Sequence, residues 1–528
     1  MNRRKFLKVS GGVLAAHALG MPSANLGKAS VQTAEMNRKP NIVYILADDM
    51  GYGDVSCLNA ASKIRTTHLD GIAAEGMAFR DAHSSSAVCT PSRYSILTGR
   101  YNWRSWLKEG VTSGYSKPLI DRDRMTVASL LKKQGYATGC VGKWHLGWRW
   151  AMKGAKETDV DFAKPIADGP TAVGFDYFFG ISASLDMAPY VYVENDRPTA
   201  VPDRVIPASS GKMYWREGPI APDFAHADVL PTLTEKAIGF IKQHAHREPF
   251  FLYFPLPAPH TPILPSPAFQ GKSGTNAYGD FCLQVDDVVG RISETLKNNG
   301  LTENTILIFT ADNGCSPMAD FEELAKCGHH PSHVFRGHKA DIYEGGHRIP
   351  LIIRWPKEIK AGSVSDETVC LADLLATCAD IVGVRLPDNA GEDSVSNLGV
   401  WRGQKRAASL REGTIHHSVD GSFSIRRGTW KLEMCAGSGG WSHPRPGKEC
   451  EGLPPIQLYD LSADSGERTN VYEKHPEVVA ELKALLTQYV RNGRSTPGAK
   501  QGNVGGTDWK QLWWMLAQTP CSAEPQNR

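Results

Sequence analysis

From about residue 40 onward, apolar runs of five or six residues alternate with amphipathic stretches. This is the pattern of a sheet covered by helices on both faces. Residues 41–46, 137–141, 250–254 and 305–309 read as strands, and residues 68–77, 126–134, 228–243 and 278–298 carry apolar positions at helical spacing. After Gly391-Glu392-Asp393 the texture changes. Residues 414–418, 422–426 and 430–434 alternate apolar with polar positions and are separated by Asp420-Gly421 and Arg427-Gly428, the mark of antiparallel hairpins. A helical stretch at 477–491 is expected to pack on them. The pattern predicts an α/β chain: a large mixed sheet flanked by helices over residues 40–390, then a smaller antiparallel-sheet α+β domain over 391–528. In the closing tail, Trp509, Trp513 and Trp514 are expected to dock on the main domain.

The polar residues that follow each predicted strand change the picture. The first strand ends in Ala47-Asp48-Asp49, the second in Gly142-Lys143-Trp144-His145, the third in Pro257-Ala258-Pro259-His260-Thr261-Pro262 and the fourth in Ala311-Asp312-Asn313-Gly314. In open α/β sheets ligands collect beyond the carboxyl ends of the strands, so these ends deliver their groups to one place. Asp48, Asp49, Asp312 and Asn313 offer only oxygen ligands, which favours a hard divalent cation, Ca²⁺ before Mg²⁺, over zinc. Lys143, Arg93 and Lys339 supply positive charge for a tetrahedral oxyanion, and His145 and His260 can move protons near neutral pH. An anion of that kind transferred from an alcohol or phenol is sulfate or phosphate.

A further segment, Ala87-Val88-Cys89-Thr90-Pro91-Ser92-Arg93-Tyr94-Ser95-Ile96-Leu97-Thr98-Gly99-Arg100, places a thiol, a cation and a helix start within one turn of chain. Pro91 suits the first helical position, where its missing N–H costs nothing, so the peptide N–H groups after Cys89 face an anion. Three residues separate Cys89 from Arg93, whereas a phosphate-loop phosphatase needs five, so Cys89 fits poorly as a plain thiolate nucleophile.

The Cys-x-Pro-Ser-Arg string followed by Leu97-Thr98-Gly99-Arg100 resembles the signature of the type I sulfatases. Gly135-Tyr136-Ala137-Thr138-Gly139-Cys140-Val141-Gly142-Lys143-Trp144-His145 resembles that family's second signature. Arg336-Gly337-His338-Lys339 before Tyr343-Glu344-Gly345-Gly346 is similar to the segment bearing its second sulfate-binding lysine. One departure is His347-Arg348, where relatives often have an apolar residue before the arginine. The resemblance runs from about residue 40 to 490, is nearest to the arylsulfatase and N-acetylgalactosamine-sulfatase branch, and implies an alkaline phosphatase-like fold.

It also implies a mechanism. Cys89 is converted by a maturation enzyme to Cα-formylglycine, whose hydrate joins Asp48, Asp49, Asp312 and Asn313 at the Ca²⁺ and attacks sulfur, polarised by Asp312. His260 protonates the leaving alcohol, Lys143, Lys339 and Arg93 neutralise the sulfuryl oxygens, and His145 takes a proton so that sulfate leaves. Lys143, His260 and Lys339 then bind substrate, and the segment Ser182-Ala183-Ser184-Leu185-Asp186-Met187 lies where relatives often contact the substrate, which makes Asp186 a candidate for recognising a sugar hydroxyl. The substrate implied is a sulfated oligosaccharide, attacked from its end, in preference to a free aryl sulfate. A formylglycine-dependent phosphonate or phosphodiester hydrolase and a non-catalytic glycan-binding relative are the alternatives.

Bulk properties bound these readings. With 528 residues and 41% hydrophobic content the chain can bury a large core, and 59 Lys plus Arg against 56 Asp plus Glu give no support for a nucleic-acid partner. Asn2-Arg3-Arg4-Lys5-Phe6-Leu7-Lys8, then an apolar run too short for a bilayer and Pro22-Ser23-Ala24, read as an export signal over residues 1–29. The paired arginines resemble the bacterial twin-arginine type, so a periplasmic or secreted protein with no membrane span is expected. Of eleven cysteines, conversion of Cys89 leaves ten; Cys435 and Cys450, flanking a Gly- and Pro-rich loop, are the first candidates for a disulfide. Cys370 and Cys378 are expected on a helix, in the core. Trp144, Trp148, Trp150 and Tyr190 are candidates for stacking on sugar rings, although tryptophan at such density is also ordinary core and surface packing; the loop 436–451 is a candidate for the rim of the site.

Overall fold

A strand buried on both faces needs apolar side chains at every position, which is how the four predicted runs read. In the computed structural model, which describes residues 39–406 and 408–516, these runs are the strands Asn41–Ala47, Ala137–Lys143, Phe250–Pro255 and Thr305–Ala311, and almost every residue in them is buried. Each extends one or two residues further toward its carboxyl end than the apolar pattern indicates. A fifth parallel strand, Tyr177–Ile181, was not among the predicted ones: Gly180 interrupts a run of only five residues. The parallel order is Thr305–Ala311, Asn41–Ala47, Phe250–Pro255, Ala137–Lys143, Tyr177–Ile181. On one side lie Leu351–Arg354, antiparallel to the five, then Met77–Phe79 and Ser363–Ser365, which run parallel to them again; on the other lie two short hairpin strands, Val193–Glu194 and Arg197–Pro198, making a mixed sheet of ten.

Helices close over this sheet. Val229–His244 and Ala277–Asn298 present apolar stripes such as Val285, Val288, Val289 and Ile292. Asn276 caps the second of them, accepting from the Tyr278 and Gly279 N–H groups, and Thr126 and Ser129 form a capping box on Val127–Lys133. Glycine is required where the strands crowd. Gly142 has φ +137°, and a Cβ there would lie 1.9 Å from the Pro255 carbonyl; one on Gly180 would lie 1.8 Å from the Gly142 carbonyl. These two positions let three strands close up immediately before Lys143 and Ile181.

Trp144, Trp148, Trp150 and Tyr190 belong to this core and are not sugar platforms. They are 1%, 1%, 7% and 1% exposed, with Trp144 against Phe175 and Trp148 against Phe178. Cys370 likewise departs from expectation, since it ends the short strand Val369–Cys370, whereas Cys378 does lie on a helix, Leu374–Ile381; both are buried.

The second sheet is antiparallel, in the order Thr414–His417, Phe423–Arg427, Trp430–Glu433, Gln457–Asp460. Its apolar face, Ile415, Phe423, Ile425, Leu432 and Leu458, is covered by Val479, Leu482, Leu485, Leu486 and Tyr489 of the helix Pro476–Asn492. The tail docks mainly here, not on the main domain as expected: Trp514 meets Phe423 and Trp513 Nε1 donates to Met434 O, while Trp509, lying against Lys108, reaches the main domain. Arg104 forks onto the Asp393 carboxylate at 2.8 Å, a fully buried pair tying the segment after the Cys89 helix to the start of the later part. The Cys435–Cys450 disulfide does not form. Cys435 Sγ donates to Gly437 O and Cys450 Sγ to Arg445 O, and all ten described cysteines are free. The expected export signal lies outside the described residues, and among the described residues no helix is long and apolar enough to cross a membrane.

Gly142→Ala is expected to lower the urea unfolding midpoint. Backbone strain at positive φ costs about 1–3 kcal/mol, and the clash with the Pro255 carbonyl adds to it. An unchanged midpoint would show that the strand ends can separate.

Candidate active site

All five parallel strands end at one edge, and the residues beyond those ends form a buried ring of paired charges. Lys143 Nζ donates to Asp48 Oδ2 at 2.6 Å, Lys339 Nζ lies 2.7 Å from the Asp49 carboxylate, and Arg93 grips Asp312 Oδ2 through Nε at 3.0 Å and a terminal nitrogen at 2.7 Å. Arg93 also donates to the Lys143 carbonyl at 3.0 Å and is wholly buried, so its charge is committed to this ring. Cys89 opens the helix Cys89–Thr98 beside it, with Val88 as the cap. Pro91 is therefore the third helical residue and not the first. It fits there because the first four N–H groups of a helix have no intrahelical acceptor. One oxygen of Asp48, one of Asp312 and the Cys89 sulfur lie within 4.8 Å of one another, as do groups of Asp48, Asp49 and His260.

Burial decides the protonation of these groups. It pushes the Cys89 thiol up, beyond the opposing pull of Lys143 and Lys339. An unmodified Cys89 is thus a thiol near neutral pH and a poor nucleophile. Burial also pushes His145 well below the usual imidazole range, helped by Lys143 and Arg93, so His145 is neutral. Its tautomer follows from its contacts: Nε2 faces the Thr112 carbonyl at 2.7 Å and so carries the hydrogen, leaving Nδ1 as a buried lone pair with no partner. His260 is fixed similarly, with Nδ1 donating to the Thr261 carbonyl at 2.5 Å and Nε2 directed at Ser184 Oγ, 3.3 Å away.

The donor set fits a hard cation. Asp48 Oδ1 and the Asn313 carbonyl oxygen are buried and make no hydrogen bond, although Asn313 Nδ2 donates to Asp49 Oδ1 at 2.7 Å. Burial and the neighbouring Asp48 charge push Asp312 up to about 6 against the pull of Arg93 and Lys143. Asp48 is itself held well below the carboxylate range: burial opposes ionisation, but Lys143, His260, Arg93 and Lys339 outweigh it. A ring in which one carboxylate is raised and two oxygens are orphaned is relieved by a divalent ion on oxygen ligands. Asp49 and His145 both adopt positive φ, 64° and 54°, a strained backbone that the surrounding bonds hold in place.

Every core residue singled out in the sequence reaches this edge. Asp186 lies at its margin, with Oδ1 4.0 Å from His260 Nδ1 and its other oxygen on Arg216. The loop 436–451 leans on the Lys339 segment: Ile342 N donates to Ser438 O, and Asp341 Oδ1 accepts from Trp441 N and Ser442 N. Two residues were given no role from the sequence, Ser184 within the segment 182–187 and Thr112. Ser184 joins Lys143 (2.7 Å) to His260, and Thr112 orients His145. The apolar run Tyr177-Phe178-Phe179-Gly180-Ile181 was the available signal for Ser184, since it delivers residue 184 to the same edge. Thr112 had none.

Comparison with known proteins agrees with this geometry. The family profile described as Sulfatase matches residues 40–384, and one described as N-sulphoglucosamine sulphohydrolase, C-terminal, matches 335–435. An N-acetylgalactosamine-6-O-sulfatase of Bacteroides thetaiotaomicron is 37% identical over 503 residues, covering 87% of this chain and 94% of its own. Human arylsulfatase A is 33% identical, covering 85% and 87%. A solved structure reported under the metabolism of multiple glycosaminoglycans by Bacteroides thetaiotaomicron superposes with a TM-score of 0.75 at 36% identity, over 86% of this chain and 99% of its own.

Calcium titrated into chelator-stripped protein is expected to raise the melting midpoint, worth about 2.7 kcal/mol at a hundredfold excess over Kd. Asp48→Asn combined with Asn313→Ala is expected to weaken calcium binding by at least about 100-fold. Binding unchanged in that double variant would place the cation elsewhere.

Proposed function

Since the chain belongs to the sulfatase family, we propose that it removes sulfate from a sulfated carbohydrate, using an oxidised Cys89 and a bound Ca²⁺. The observation that carries this reading is the environment of Cys89. Its sulfur sits at the start of a buried helix, within 4.8 Å of two carboxylates, in a site that keeps a plain thiol protonated. A nucleophile at that position requires different chemistry from a thiolate. Cys89 as formylglycine hydrate would supply the attacking hydroxyl, and Ca²⁺ held by Asp48, Asp49, Asp312 and Asn313 would supply Lewis-acid charge beside it.

The chain's own groups account for the rest. Lys143 and Lys339, each already 2.6–2.7 Å from a carboxylate, hold the sulfuryl oxygens and offset their charge. Arg93 fixes the Asp312 carboxylate by two bonds, leaving its other oxygen for the nucleophile side. His260, with Nδ1 tied to a carbonyl, acts in its imidazolium form and gives the Nε2 proton to the departing sugar oxygen. His145, neutral and with Nδ1 bare, accepts a proton as sulfate is released. Asp186 and the loop 436–451 stand where the remainder of a glycan would enter. The relatives named for N-acetylgalactosamine-6-sulfate support a sulfated glycan as the substrate class. The amino-terminal segment supports a route out of the cytoplasm before action on it.

Peptide mass spectrometry across residue 89, on protein made in a host with a maturation enzyme, is expected to find the aldehyde or its hydrate. Such protein should hydrolyse a nitrophenyl sulfate faster than the matched phosphodiester. Cys89→Ala should fold and bind calcium but turn over nothing; activity above background in that variant overturns the nucleophile.

His260→Ala is expected to cost about 10²–10⁴ in kcat on an alkyl or sugar sulfate, and far less on a nitrophenyl sulfate, whose leaving group needs no proton. Equal losses on both substrates would remove His260 from the acid role.

A further inference from the structure

A second cluster of side chains, not used by the active site, lies behind the segment that leads into the Cys89 helix. It contains His347, the residue that departs from the sulfatase pattern. His83 ends the short strand Ala82–His83, His347 closes the one-turn helix Glu344–His347, and His416 sits on the strand Thr414–His417 of the second sheet. All three are fully buried, and one ring nitrogen from each lies within 4.8 Å of one from each of the others. We propose that His83, His347 and His416 form a second metal site, for a borderline divalent ion of the zinc class, which clamps the second sheet to the core behind Cys89.

Hydrogen bonding around the rings supports this. His83 Nδ1 and His347 Nδ1 face each other at 3.0 Å, while His83 Nε2 lies 2.8 Å from Asp81 Oδ1 and His347 Nε2 3.1 Å from the Ile342 carbonyl. Lys431 Nζ and Arg426 also lie 3.0 and 3.1 Å from His347 Nε2 and His83 Nε2, but each has a carboxylate partner of its own, Glu467 and Asp81. With the metal bound, the outer nitrogens would donate to the Asp81 carboxylate and the Ile342 carbonyl, and both Nδ1 atoms would be lone pairs directed at a common point, the usual arrangement of metal-ligating histidines. Zinc–nitrogen bonds of about 2.0–2.1 Å at a tetrahedral angle set two nitrogens about 3.3 Å apart, a small expansion from the separation found. A proton shared between His83 and His347 would satisfy those two rings and nothing more. Neither nitrogen of His416 has a hydrogen-bond partner. Its ring lies parallel to that of His347, with centroids 3.8 Å apart, and 4.9 Å from that of His83, and no hydrogen bond commits either of its nitrogens elsewhere.

Charge and access allow it. Asp81, Glu344, Glu433 and Glu467 surround the cluster with Arg348, Arg426 and Lys431, and burial pushes Glu433 well above the usual carboxylate range, so the shell is close to neutral. A surface cleft of about 460 Å³, lined by Asp81, Glu344, Arg348 and Arg426 among others, reaches this shell from solvent. An all-imidazole donor set selects zinc, copper or nickel over calcium, so the two centres would not compete for one ion.

The test is to strip the full-length protein with chelator, saturate it with calcium and dialyse it against zinc chloride. One zinc per chain is expected by elemental analysis in both the wild type and Asp48→Asn, with X-ray absorption showing nitrogen neighbours at about 2.0–2.1 Å. His347→Gln and His416→Gln are each expected to lower zinc affinity by at least about 100-fold. Folded wild-type protein that binds no zinc, zinc with sulfur neighbours from exposed Cys57 or Cys327, or retention by both variants overturns the proposal. Should the variants not fold, the absorption spectrum of the wild type alone decides it.

Discussion

Three carboxylates and three cations, all buried, neutralise one another at the carboxyl edge of the main sheet, and the rest of the structure is arranged around that constraint. An unpaired charge at such depth is costly to stability, so Asp48, Asp49 and Asp312 can be brought together only if Lys143, Lys339 and Arg93 arrive with them. Each pair joins segments far apart in the chain, and removing one partner strands the other. The same packing that makes the ring stable leaves two buried oxygens without a hydrogen bond and one carboxylate raised, a donor set that suits a divalent cation.

The supporting architecture serves that edge. Parallel strands deliver Asp48, Lys143 and Asp312 in register, since Ala47 pairs with Ala311 and Lys143 with Ile181. Glycines at 142 and 180 allow the backbones to approach closely there. The segment before Cys89 is held from the other side: Ala87 N donates to the His417 carbonyl, and the Ala87 carbonyl accepts from Ala340 N, next to Lys339. The second sheet thus reaches the nucleophile through backbone bonds, and the His83, His347 and His416 cluster lies along this seam.

Legibility followed the period of the pattern. The strands at 41, 137, 250 and 305 were readable because both faces are buried and the apolar run is continuous; the hairpins after 414 were readable because only one face is. The strand Tyr177–Ile181 was missed because Gly180 breaks a short run, so Ser184 was given no role. The tryptophans at 144, 148 and 150 could be placed in the core only by the structure, because an aromatic side chain looks the same in sequence whether it packs against Phe175 and Phe178 or waits for a sugar. Cys435 and Cys450 flank one loop, yet each thiol turns to a backbone carbonyl, an orientation that spacing does not reveal.

The sequence by itself determined the fold class, the strand ends that carry the acidic and basic residues, and the family to which the Cys89 and Lys143 segments belong, because these depend on local periodicity and contiguous motifs. Only the tertiary structure decided which carboxylate meets which cation, which nitrogen of His145 is bare and which of His260 is tied to a carbonyl, and that three histidines from positions 83, 347 and 416 converge. Those outcomes depend on contacts between segments hundreds of residues apart, where burial and the need to pair every charge select one arrangement from many that the same residues would permit.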